Sequence, residues 1–160
     1  MNTTTLNPVL HIRRVFEASP EALFDAWFSR EQWQAWIGPE GCRCEVPVLE
    51  PRVGGRYYIL MHLSDGREIP VGGVFKTVDR PRTLVFTWSW VVPEGGITAS
   101  TVNRQGSDTV VRLSFRPVEG GTELTLTHEN LITAEDRESH GKGWNSTLNK
   151  LARYVKGEAP

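Results

Sequence analysis

From Cys42 to Glu129 apolar and polar side chains alternate one by one in a series of short runs, and period two is the signature of half-buried strands. The runs are Cys42–Leu49, Arg56–Leu63, Ile69–Val78, Leu84–Trp90, Thr109–Pro117 and Gly121–Glu129. The clearest places Leu84, Phe86, Trp88 and Trp90 on one face and Val85, Thr87 and Ser89 on the other. Breaks fall where turns are chemically easy: Pro51 with Gly54-Gly55, Ser64-Asp65-Gly66, Asp79-Arg80-Pro81 and Glu119-Gly120-Gly121. Pro70 and Gly72-Gly73 predict that Ile69–Val78 is an edge or bulged strand. Pro93–Gly106 is polar and glycine-rich and reads as a loop.

The pattern differs at both ends of this block. Val9–Phe16 alternates as a first strand. Ser19-Pro20 then starts a short helix carrying Leu23 and Trp27, with serine as cap and proline at its first position. Ser29 with Gln32 forms a capping-box signature for a second short helix that bears Trp33 and Trp36 and ends at Gly38-Pro39. The last element is a long helix from Thr133 to Lys156. Thr133 caps it, acidic residues fill its first turn, and Gly157 follows its basic end. Trp144, Leu148, Leu151 and Val155 share one face, but tracing that stripe backward meets only Gly141 or His140, then Arg137. The helix is bulky in its second half and hollow in its first, where Gly141 and Gly143 each cost roughly 1 kcal/mol against alanine.

One strand, two short helices, about six further antiparallel strands and a long helix make an α+β arrangement with one sheet face covered by the last helix. Residues 1–160 read as a single domain, without repeat or linker. A hollow helix head over a bulky sheet face predicts a ligand cavity between them. Its expected lining is Trp36, Tyr57, Ile59, Met61, Phe75, Phe86, Trp88, Trp90, Leu113, Phe115, Leu126, His128, His140, Gly141 and Trp144. Along Arg56–Leu63 the opposite face, Tyr58, Leu60 and His62, alternates equally well, so the inward face of that strand stays open. Trp33 and Trp36 are candidate lid residues beside Gly38-Pro39.

Charge and cysteine content narrow the function. With 18 basic and 19 acidic side chains, the net charge of −1 gives no footprint for nucleic acid. No apolar run approaches the roughly 20 residues of a membrane span. Met1–Leu10 lacks a secretory pattern, so the chain is read as cytoplasmic and the triplets at Asn2 and Asn145 as chance glycosylation matches. Cys42 and Cys44, two apart in an extended run, are expected to be reduced packing residues, poorly placed to bridge, and too few for a metal site. No metal or cofactor is expected. Nucleophile elbow, phosphate loop and zinc-protease signatures are all missing. His128 and His140 have three readings: a general acid/base, a polar anchor for a ligand, or structural hydrogen bonding. Arg14, in phase with Leu10 and Ile12, has two readings: it points inward to meet an acidic ligand or Glu129, or, the favoured account, it makes an ordinary structural ion pair.

The ordered series Leu10–Pro20, Phe24-Asp25-Ala26-Trp27, Trp36-Ile37-Gly38-Pro39, Gly54-Gly55-Arg56-Tyr57, Leu84–Trp88, Leu126-Thr127-His128-Glu129 and Gly143-Trp144 through Leu151 resembles the heat-shock protein 90 ATPase activator homologue family over nearly the whole chain. That resemblance implies a START-like helix-grip fold of the birch-pollen-allergen superfamily: a curved antiparallel sheet of six to seven strands wrapped around a long C-terminal helix and an apolar cavity. The leading expectation for function is a non-enzymatic binder of a small hydrophobic or amphipathic molecule held between the sheet and the final helix. A cyclase or hydrolase of an aromatic or polyketide-like substrate, using His128, His140 or Arg14, is one alternative. A chaperone-interacting stress-response module is the other.

Overall fold

The computed structural model describes residues 9–90, 109–131 and 133–158, the side chain of Trp90 excepted. The loop expected over Pro93–Gly106 lies outside them. Chain order is β1 (Val9–Phe16), α1 (Pro20–Trp27), α2 (Arg30–Trp36), β2 (Arg43–Leu49), β3 (Arg56–His62), β4 (Glu68–Asp79), β5 (Thr83–Trp90), β6 (Thr109–Val118), β7 (Gly121–Glu129) and α3 (Ala134–Val155). The seven strands form one curved antiparallel sheet in the order β1-β7-β6-β5-β4-β3-β2, with α3 as the gripped helix.

The helix ends are built as their residues dictate. Ser19 accepts from the Ala22 N–H, and Thr133 from the Asp136 N–H at 3.0 Å, each satisfying a donor that the helix leaves open. At the far end of α3, Gly157 adopts φ 81°, and the N–H groups of Gly157 and Glu158 return to the carbonyls of Tyr154 and Arg153. Only half of the capping box at α2 forms. Ser29 accepts from the Gln32 N–H, but the Gln32 amide donates to the Asp25 carbonyl and accepts from the Tyr154 hydroxyl instead. Its side chain ties α1, α2 and α3 together.

β4 corrects the expectation of an edge, since it lies between β3 and β5; the edges are β1 and β2. Pro70 is tolerated because it pairs with Leu60 on β3 and lies beyond the last β4–β5 partners, Val71 and Trp90. The bulge is real, between Phe75 and Thr77. Gly73 is needed beside it: any Cβ there would collide with the Thr87 carbonyl, which the Tyr57 hydroxyl holds at 2.5 Å.

Tyr57, Ile59 and Met61 are the inward face of β3, while Tyr58 packs on the reverse side with Val48 and Leu60. Trp27, Trp33, Trp36, Tyr57, Phe75 and Phe86 are all fully buried and interlock, with ring centroids 4.7 Å apart for Trp27–Trp36 and 5.1 Å for Trp33–Tyr57. Such pairs add roughly 0.5–1.5 kcal/mol each beyond area burial. Leu148 and Leu151 of α3 close on the same core. Around the tail of α3 the domain is therefore solid.

Candidate functional site

Two neighbouring rows of residues along α3 decide what its head faces. Gly141, Asn145 and Asn149 form a row along β1: Gly141 stands beside Leu10, and Arg14 donates to Asn149 Oδ1 at 2.8 Å. His140, Gly143, Trp144 and Thr147 form the neighbouring row, and these line a cavity of about 240 Å³. The opposite walls are Met61, Leu63, Ile69, Val71 and Trp88 from the sheet, and Ile37, Gly38 and Pro39 from the segment after α2. Ser139, exposed, marks where the space reaches the surface. A Cβ at Gly143 would meet nothing within 4 Å, whereas one at Gly141 would touch Leu10 Cδ1 at 3.4 Å. Hollowness at the helix head is thus the work of Gly143; Gly141 serves close helix–strand approach.

Behind this cavity runs a chain of hydrogen bonds whose direction is settled by chemistry. The Trp144 indole can only donate, so His128 Nδ1 accepts at 3.0 Å. A neutral His128 then carries its proton on Nε2 and donates to Thr109 Oγ1 at 2.7 Å, and Thr109 donates to the Trp88 carbonyl at 2.5 Å. His128 is fully buried, and burial first, then the charge of His140, pushes its pKa down to about 3. The ring is a neutral structural link that joins two walls. It is not a cavity-lining base. His140, at 5.0 Å between ring centroids, does reach the cavity. Its Nδ1 meets the Asp136 carbonyl at 2.9 Å, which only accepts, so Nδ1 carries a proton and, in the neutral ring, Nε2 is the acceptor.

Of the residues expected to line the site, Met61, Trp88, His140 and Trp144 come together around the cavity. Tyr57, Ile59, Phe75, Phe86, Leu113, Phe115 and Leu126 belong to the packed core, as does Trp36, whose indole donates to the Ala26 carbonyl at 3.1 Å. The Trp90 side chain lies outside the described residues. Pocket residues that the sequence reading missed are mainly Ile37, Gly38 and Pro39, Leu63, Ile69 and Val71, and Ser139, Gly143 and Thr147. Ile69 and Val71 are in phase with each other on β4, a signal that alternation alone contained. Arg14 does not enter the cavity: it spans β1 and α3 over the Phe16 ring, and burial lowers its pKa. Glu129 pairs with Arg112 at 3.2 Å instead. Among the described residues no group of three or more metal-ligating side chains converges, and no helix is long and apolar enough to cross a membrane.

Comparison with known proteins places this geometry. No curated protein matches the chain. The AHSA1 protein of Silicibacter pomeroyi is 32% identical, with 92% of this chain and 97% of that one covered and a TM-score of 0.75. A Rhodobacter sphaeroides protein is 25% identical over 93% of each chain, with a TM-score of 0.74. An Arthrobacter aurescens protein shares the fold at 21% identity, covering 94% and 87%, with a TM-score of 0.78. The model of the family described as Activator of Hsp90 ATPase homolog 1-like protein matches residues 17–156. With that match spanning most of its length, and a head-hollow helix gripped by a seven-stranded sheet, the chain belongs to the activator of Hsp90 ATPase homolog 1-like family.

Proposed function

We propose that the protein binds a small, largely apolar molecule carrying a hydrogen-bond donor, an aromatic alcohol or phenol class of ligand, in the cavity beside the head of α3. The carrying observation is the cavity itself, about 240 Å³ and walled mainly by apolar side chains around the plates of Trp88 and Trp144. Apolar cavities of roughly 150 Å³ already admit benzene, so one or two fused rings fit this space. Proteins of this fold commonly hold hydrophobic ligands, which supports the reading. His140 Nε2 supplies one acceptor at the wall, and a hydroxyl on the guest satisfies it. No catalytic step is assigned, because His128 is committed to Trp144 and Thr109.

The test compares 2-naphthol with naphthalene by thermal unfolding and by quenching of indole fluorescence. Ligand at 100 times its dissociation constant adds about 2.7 kcal/mol, and 2-naphthol is expected to bind more tightly than naphthalene. Gly143→Leu, which puts a side chain into the space, abolishes both signals while the fold is retained. Equal shifts in wild type and Gly143→Leu, or no shift with any aromatic, refute the assignment.

A further inference from the structure

Behind the Gly38 wall of the cavity lies a cluster that the binding site does not use. Cys42 and Cys44, expected as reduced packing residues, are both free thiols, and they bring their sulfurs to 3.5 Å. The reason is local. β2 begins only at Arg43, and Gly41 before it adopts φ 82°, so Cys42 belongs to a turn and its side chain folds back toward Cys44. Both sulfurs press on Gly38: a Cβ there would stand 2.7 Å from one and 3.1 Å from the other. Cys44 is buried, its sulfur 3.1 Å from the Ile37 carbonyl, while Cys42 is half-buried. Lys150, itself buried, reaches the Ile37 carbonyl at 3.4 Å and the Cys42 carbonyl at 3.5 Å, which holds an ammonium charge beside the pair.

We propose that Cys42 and Cys44 form a thiol–disulfide exchange site for small-molecule disulfides, with Cys42 as the attacking sulfur and Cys44 as the resolving one. The Cys42 thiolate attacks one sulfur of the small disulfide, forms a mixed disulfide and releases a thiolate. Cys44 then gives up its proton and attacks Cys42 Sγ, releasing the second thiolate. Overall the protein dithiol loses two electrons and two protons, and one small disulfide becomes two thiols. The sulfurs close from contact to about 2.05 Å, and two residues span at most about 6.6 Å between Cα atoms even when fully extended, within the upper limit of disulfide geometry.

The surroundings match the two roles. The Cys44 thiol, the Lys150 charge, the His62 main-chain N–H and the His62 ring together bring the Cys42 pKa down to about 7, where reactive thiols lie. Cys44 is pushed far up by donating to Cys42, by burial and by the Cys42 charge. Two of those three causes exist only while Cys42 is a thiolate. Forming the mixed disulfide removes them and leaves burial as the remaining cause, so the Cys44 proton is easier to remove at the step that needs it.

Trapping with oxidised glutathione tests the assignment, read by intact mass and by maleimide counting of remaining thiols. Wild type is expected to finish two hydrogens lighter, with no glutathione attached and no countable thiol. Cys44→Ala accumulates one glutathione on Cys42, and Cys42→Ala acquires none in the same interval; Cys44→Ser repeats the first result should alanine disturb folding. At pH 7 about half of Cys42 is thiolate against about 3% of an ordinary thiol, and after the loss of intrinsic nucleophilicity its iodoacetamide rate is about threefold above free glutathione. A stable glutathione adduct on wild type, equal adduct formation in both single variants, or no reaction at all overturns the proposal.

Discussion

The neutrality of His128 gives the sharpest test of the hydrogen-bond chain, through acid. In the unfolded chain this ring titrates near 6.5, whereas in the native state its pKa is about 3. Between those values the unfolded state binds a proton that the folded state refuses, so stability rises with pH across the window and is lost as pH falls through it. At 1.36 kcal/mol per unit, the native state forfeits about 2 kcal/mol between pH 7 and pH 5 and about 4 kcal/mol by pH 3. Against a typical total of 5–15 kcal/mol that is a large fraction. Urea unfolding at pH 7, 6 and 5, for wild type and His128→Asn, reads it directly. Asparagine keeps an acceptor near the Nδ1 position for the Trp144 indole but cannot titrate. The carboxylates held down by partners, among them Glu45 beside His62 and Glu123 beside Arg116, act equally in both proteins and cancel in the difference. The variant, weaker at pH 7, should recover about 2 kcal/mol relative to wild type at pH 5, near 1 M in urea midpoint for a slope of about 2 kcal/mol/M. A difference between the two proteins that stays constant from pH 7 to pH 5 refutes the buried neutral link.

Other substitutions follow from the same geometry. Gly143→Ala gains helix propensity with no clash, so it should stabilise by about 1 kcal/mol and raise the thermal midpoint by about 2–4 °C. Gly73→Ala drives a Cβ into the Thr87 carbonyl at the bulge and should cost about 2 kcal/mol or more in chemical denaturation. Thr133→Ala removes the cap of α3 and should lower stability by about 1 kcal/mol, with rescue by Thr133→Ser.

Period-two alternation and cap chemistry made most elements readable in advance, because both are local: Val9–Phe16 is β1 to the residue, and Thr133 and Gly157 bound α3 as their side chains require. What depended on how elements meet was less legible. A stripe traced from Trp144 points to Gly141, yet α3 runs close beside edge strand β1, and Leu10 and Arg14 occupy that row; the open side belongs to Gly143. His128 alternates inward like a site residue. Only tertiary placement brings Trp144 and Thr109 to its two nitrogens. Aromatics on the inward sheet face likewise do not say whether they fill a core or border a space. Trp27 and Trp33, arriving from separate helices, fill the volume around Tyr57 and Phe86, while Met61 and Trp88 remain at the unfilled end.

The link from Trp144 through His128 and Thr109 to the Trp88 main chain also sets how the chamber treats its guests. The Trp144 indole is tethered through this link to the Trp88 main chain, so the two plates, 4.9 Å between ring centroids, act as a stiff jaw that Trp144 can leave only by breaking its bond to His128. The facing side carries Met61, an unbranched thioether that reshapes at little cost. Across a ladder of guests, thickness against the jaw should be policed strictly, while added length toward the thioether is absorbed.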